Sequence, residues 1–193
     1  SCMTTCPSGV NYMHLIDHGR NYVEETYKRP FFDRLFRNVL SFVLPRPKVF
    51  LALAYLSKLI KPFSFLLPTF LKNSLNLMPN KIPSKKIETQ KIYKPESGKI
   101  ISRVALLTGC VQRVISPEIN ESTIRILNRH NVEVVVMPEI ECCGSLNHHL
   151  GKKDLAHQSF VKNIEKWHEE YIANGLDAIT VSYTHLTLPT NVA

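Results

Sequence analysis

Cysteine is scarce and unevenly placed in this 193-residue chain: Cys2 and Cys6, then none until Cys110, then the adjacent pair Cys142 and Cys143. Five is an odd number, and the spacing lacks the density and regularity of a secreted disulfide scaffold. The chain opens without a signal-peptide pattern and begins at Ser1 rather than Met. These absences lead us to expect a reducing, cytoplasmic compartment, where clustered thiolates more often hold metal. They also lead us to expect a chain that starts downstream of its gene's first codon.

Acidic residues are nearly absent from one long stretch. Between Lys28 and Lys86 twelve Lys or Arg stand against a single acid, Asp33, within a net charge of +8. Such a segment suits an anionic surface, either lipid headgroups at the inner face of a membrane or an acidic partner. Nucleic acid is excluded as a partner, because no DNA- or RNA-binding motif accompanies the charge. An uninterrupted apolar run is missing too. The most apolar window, Val49 to Phe70, carries Lys58, Lys61, Pro62 and Pro68, whereas a spanning helix needs roughly 20 apolar residues with few charges. No internal repeat is visible. No residue has the partners of an acid–base pair or an activated nucleophile.

What is present divides into five stretches. Residues 1–29 hold a Cys-Pro step, Ser8 as a helix N-cap, and apolar residues from Tyr12 to Tyr27 at near-helical spacing. Residues 30–79 read as short apolar helices broken at Pro45, Pro47, Pro62 and Pro68. Residues 80–98 are polar and Lys-rich and read as a linker. Residues 99–181 alternate strand and helix. Ile100–Leu107 and Val132–Met137 predict buried strands, and Ala178–Val181 starts a third. Ser116-Pro117 opens a helix with an apolar stripe of Ile119, Thr123, Ile126 and Leu127. Asp154 to Tyr171 predicts a second helix facing inward through Phe160, Ile164, Trp167 and Tyr171, with Gly175 as its stop. The expected fold is α+β overall: an N-terminal helical part, then a small α/β domain with a parallel sheet. Residues 182–193 break the pattern and read as a cloning or adapter tail.

Two cysteine constellations carry the chemistry. Cys2-Met-Thr-Thr-Cys6-Pro7 fits the last part of the ferredoxin run C-x2-C-x2-C-x3-C-P, in which the final Cys serves the other cluster. On that reading Cys2 and Cys6 ligate two different clusters. Read by itself, this short motif also describes two ordinary cysteines. His14 and His18 follow at i, i+4, but the seven residues between Cys6 and His14 are fewer than the roughly twelve of a usual zinc finger. The second constellation is Gly109-Cys110, 31 intervening residues, and Cys142-Cys143-Gly144. Each part follows a predicted strand, and loops after parallel strands gather at the carboxyl edge, where ligands bind. Gly144 permits a tight backbone that turns both adjacent sulfurs to one centre. The alternative is three inert, buried cysteines. His148 and His149 lie close enough in sequence to act as donors, or to be ordinary polar residues at a helix entry.

Taken together, Thr5-Cys6-Pro-Ser-Gly-Val-Asn-Tyr12, His14-Leu-Ile-Asp17, Leu107-Thr-Gly-Cys110 and Glu141-Cys-Cys-Gly-Ser-Leu-Asn-His-His149 resemble the family of glycolate oxidase (glycolate dehydrogenase) iron–sulfur subunits. Related are the iron–sulfur subunits of anaerobic glycerol-3-phosphate dehydrogenase, lactate-utilisation proteins and heterodisulfide reductase subunits. The resemblance covers residues 1–181. It implies residues 1–29 as the end of a ferredoxin-type domain with two [4Fe–4S] clusters, Cys2 and Cys6 being ligands. It implies further iron–sulfur binding by Cys110, Cys142 and Cys143 in a Cys-Cys-Gly domain. It also implies an oxidoreductase subunit that carries electrons from flavin-containing subunits oxidising glycolate to glyoxylate. The chain departs from the pattern where it lacks most of the ferredoxin-type cysteines, a later Cys segment and a second Cys-Cys-Gly domain. As a reading of another class, the basic stretch from Lys28 to Lys86 makes the chain a non-redox module that docks on a membrane or partner.

Overall fold

The computed structural model describes residues 10–66, 68, 72, 75, 92–140 and 142–181. Cys2, Cys6, Ser8, most of the expected linker and the 182–193 tail lie outside them. The described chain is α+β, with a small, mostly parallel sheet.

Three helices come first: α1 (Tyr12–Thr26), α2 (Phe31–Val43) and α3 (Pro47–Ile60), followed by a 3-10 segment, Lys61–Leu66. Prolines punctuate them as the sequence suggests. Pro45 lies in the break between α2 and α3, and Pro47 opens α3, where its missing N–H costs nothing. The N-cap of α1 is Asn11, whose side chain accepts from the His14 N–H.

The sheet contains β1 (Ile92–Tyr93), β2 (Ser102–Leu107), β3 (Val132–Val135) and β4 (Ala178–Val181) in the order β1-β3-β2-β4. The expected parallel core is β3-β2-β4, with Val104 opposite Val134 and Leu107 opposite Val181. The linker expectation is corrected at its end, where Ile92–Tyr93 adds an antiparallel edge strand to β3. Two residues are too few to show a period of two in the sequence.

After β2 come α4 (Gln112–Ile115) and α5 (Pro117–Arg129); after β3 come α6 (Ser145–His149) and α7 (Lys153–Asn174). Alternation along the strands sends Val104, Leu106 and Val134 to one face, packed with Ile124 and Leu127 of α5. Ala105, Leu107 and Val135 go to the other, packed with Trp167 of α7. The connections after β2 and β3 therefore leave on opposite faces. A crevice opens between the carboxyl ends of these two neighbouring strands, the position where open α/β sheets bind ligands.

The expected inward faces of both long helices are corrected by part of a turn. On α5 the buried positions are Asn120 and Ile124, while Ile119 and Ile126 are exposed. On α7 Ala156, Asn163 and Glu170 are buried, while Ile164 and Tyr171 are exposed. The cause is the same in each. A stripe drawn from apolar residues alone leaves out polar side chains that turn inward because the core holds backbone or charged groups in need of partners.

Candidate functional site

Cys110 leaves the end of β2, and Cys142 and Cys143 sit on the loop between β3 and α6. The fold brings all three to the crevice. Cys142 is buried, and Cys110 and Cys143 are half-buried. The three thiols interact with one another, Cys142 with both Cys110 and Cys143. Those interactions set their acidity. Interaction with Cys142 pulls the Cys110 thiol below its usual value. Interaction with Cys110 pushes Cys142 up to about 11. Interaction with Cys142, with burial, pushes Cys143 up further.

Each sulfur also faces backbone amides. Gly144 N–H donates to Cys142 Sγ at 3.4 Å. The Val111 N–H and the residue's own N–H point to Cys110. The Ser145 N–H points to Cys143, whose thiol also hydrogen-bonds the Ser145 hydroxyl at 3.3 Å. Hydrogen bonds to sulfur are what an iron–sulfur site uses to hold thiolates and tune their potential. Gly144 makes this loop achievable. Its φ is +85°, and a Cβ there would meet the Phe160 ring at 2.7 Å.

Two buried asparagines, not singled out in the sequence, hold the cysteine loops in place. Asn120 Nδ2 donates to the Thr108 carbonyl at 2.8 Å, and its Oδ1 accepts from Gln112 at 2.9 Å. Asn163 Nδ2 donates to the Cys142 carbonyl at 2.9 Å. The signal that could have found them is an amide side chain at the inward spacing of an otherwise amphipathic helix.

His148 and His149 pair with α1. His149 Nδ1 and His148 Nε2 lie 3.0 and 3.4 Å from the Asp17 carboxylate of α1. They join the N-terminal helices to the cysteine domain, and His149 also lines the cavity onto which Cys110 and Cys143 open. The joint continues with buried Ser41 donating to Asn147 at 2.7 Å and Arg37 donating to the Leu150 carbonyl at 2.6 Å and to Glu24 at 3.1 Å. His14 and His18 are exposed on α1. An apolar cavity of about 830 Å³ separates α1 from the thiols, with Met13 and Ile16 on one side and Leu107, Cys110, Cys143 and Val181 on the other.

Three soft sulfur donors, each met by amide N–H groups, match the ligand chemistry of an iron–sulfur cluster. The count is three, and among the described residues no group of His, Cys, Asp or Glu is already spaced to close around a metal ion. The three thiols are near one another. The placement of Cys2 and Cys6 lies outside the described residues.

Cysteines from two separate loops, gathered at the switch point of a small α/β sheet, define a cysteine-rich ligand domain. Residues 104–182 match the cysteine-rich domain family, CCG. Along its length the chain is 36% identical to the glycolate oxidase iron–sulfur subunit of Escherichia coli over 167 residues, which are 86% of this chain and 38% of that protein. It is 26% identical to the probable glycolate oxidase iron–sulfur subunit of Bacillus subtilis over 204 residues, 96% of this chain and 46% of that protein. An uncharacterized iron–sulfur protein of Methanocaldococcus jannaschii is 33% identical over 95 residues, 49% of this chain and 19% of that protein. The chain thus spans under half the length of these relatives. No solved structure matches it. The family resemblance read from the cysteine motifs is borne out.

Proposed function

We propose that this chain forms part of an iron–sulfur electron-transfer subunit of a glycolate oxidase-type complex. It would carry electrons from flavin-containing subunits that oxidise glycolate to glyoxylate. The observation that carries the reading is the convergence of Cys110, Cys142 and Cys143 at the sheet crevice with amide donors on every sulfur. These three residues would supply thiolates to the Cys-Cys-Gly centre, with a further donor from outside the described residues. Cys2 and Cys6 would each supply one thiolate to the two ferredoxin-type [4Fe–4S] clusters. A bound cluster supplies one-electron storage and release. The chain's own residues hold the sulfurs, keep the Cys142 side buried and aim backbone dipoles at the thiolates. Such thiolates call for a reducing compartment, in keeping with a cytoplasmic location.

A thiol–disulfide enzyme of the heterodisulfide reductase kind is the alternative; it would draw on Cys110, the one of the three thiols held below its usual value, since Cys142 and Cys143 are raised. Glycolate is favoured over lactate or glycerol-3-phosphate by the names of the two relatives with the longest matches.

The test isolates the complex through an affinity tag on this chain and follows cluster reduction by low-temperature EPR. Glycolate is expected to elicit the reduced-cluster signal, with lactate and glycerol-3-phosphate much weaker. Iron–sulfur signals that dithionite reduces but none of the three substrates reduces would overturn the proposed role.

A further inference from the structure

No single helix among the described residues is long and apolar enough to cross a membrane. Helices α2 and α3 have the length and composition together, but their axes turn by 114° at the break between them. Neither helix hides its apolar side chains. On α2, Phe32, Leu35, Val39 and Phe42 recur at i, i+3, i+7 and i+10 and all are exposed, Phe32 by 81%. This stripe lies opposite the inward face, where Ser41 and Arg37 contact the cysteine domain. On α3, Leu53, Leu56 and Leu59 are exposed, Leu59 by 72%. An apolar face this long on the outside of a protein marks a surface that something covers.

The charges around it indicate what that is. Arg34, Arg46, Lys48 and Lys58 stand on or beside the two helices, and the one acid of the segment, Asp33, is occupied by Arg29 at 3.2 Å. Where the α2 stripe ends, a cleft of about 500 Å³ opens beside Phe42. Its cations are Arg46, Lys152 and Lys162, and it has no Asp or Glu in its lining. Arg46 is held there by its guanidinium lying 4.2 Å over the Phe42 ring and by donation to the Phe42 carbonyl at 2.7 Å. Lys152 is steadied by Asn38 at 2.5 Å.

We infer that α2, α3 and the Arg46–Lys152–Lys162 cleft form a docking surface for an anionic phospholipid bilayer. The apolar stripe enters the headgroup–acyl boundary, and the cleft takes lipid phosphates. A protein partner of matched shape would cover the stripe equally well. The unopposed cations at its end and the absence of acids favour lipid. Cys142 also lines the cleft, but the inference rests on the exposed stripe and on Arg46, Lys152 and Lys162, none of which is a proposed cluster ligand.

The experiment floats the full chain on vesicles of phosphatidylcholine alone and of phosphatidylcholine with phosphatidylglycerol, at low and raised salt. The chain is expected to float with the anionic vesicles, at least about tenfold more than with the neutral ones, and to be released by salt. F32D/V39D is expected to abolish flotation, and R46E/K162E to reduce it about tenfold or more. I172D, a charge placed on an exposed site of α7, leaves it unchanged. Because the altered side chains are exposed, circular dichroism should match the parent. A conservative F32W variant adds a second reading, in which bromolipid in the anionic vesicles quenches the new indole emission beyond that of Trp167. Equal flotation on neutral vesicles, no flotation at all, retention by F32D/V39D, or no added quenching in F32W each overturns the inference.

Discussion

Asn163 on α7 donates to the backbone carbonyl of Cys142 at 2.9 Å, both groups being buried. One helix side chain thereby fixes the loop that carries two of the three converging thiols. Truncation to Ala leaves that carbonyl without a partner, at a cost of about 1–3 kcal/mol. Asn163→Ala is expected to lower the urea midpoint accordingly. It is also expected to lower iron retention after reconstitution, while an exposed control such as Ser122→Ala does neither. Full stability and full iron content in Asn163→Ala would show that the loop holds itself.

A second interior polar group is wholly structural. Arg103 on β2 bonds Glu133, its cross-strand neighbour, and Glu170 of α7 at 2.5 Å. Both acids are buried. Arg103→Met strands two buried carboxylates, and removing one member of such a set costs about 3–5 kcal/mol. Thermal or urea unfolding should show a loss of that order at pH 7.

The joint between α1 and α6 gives a pH signature. Burial raises the Asp17 carboxyl, but the His149 hydrogen bond, with His148 and Arg20, outweighs it and holds the group below its ordinary value of 3.8. A lowered carboxyl contributes stability that is present in full above the unfolded value and fades as pH falls through the folded one. Asp17→Asn is therefore expected to destabilise by about 0.5–1 kcal/mol at pH 6. The gap to the parent should close below about pH 3. A gap that does not change between pH 6 and pH 3 would assign the effect to packing.

The sequence shows the cysteine constellation plainly because its signals are local. β-branched runs mark β2 and β3, and the motifs Gly109-Cys110 and Cys142-Cys143-Gly144 follow directly after them. The parallel order then brings the three thiols together without further information. The supports were hidden for the opposite reason. Asp17 and His149 are 132 residues apart, Ser41 and Asn147 are 106, and neither pair follows any periodic pattern. Asn120, Asn163 and Glu170 carry no sequence signal until the groups they satisfy are placed. Ile119 and Ile126 read as core although α5 turns them outward.

The central claim is that Cys110, Cys142 and Cys143 act together as iron–sulfur ligands. The most direct test is anaerobic reconstitution with iron and sulfide, followed by iron and acid-labile sulfide counting. It compares the chain with a variant carrying Cys110→Ser, Cys142→Ser and Cys143→Ser, in which Cys2 and Cys6 are intact. The account predicts bound iron and sulfide in the parent, with a sulfur-to-iron charge-transfer absorption, and the loss of the share held at the crevice in the variant. Equal iron and sulfide in the two proteins, both folded, would contradict it and leave the three cysteines as buried structural residues.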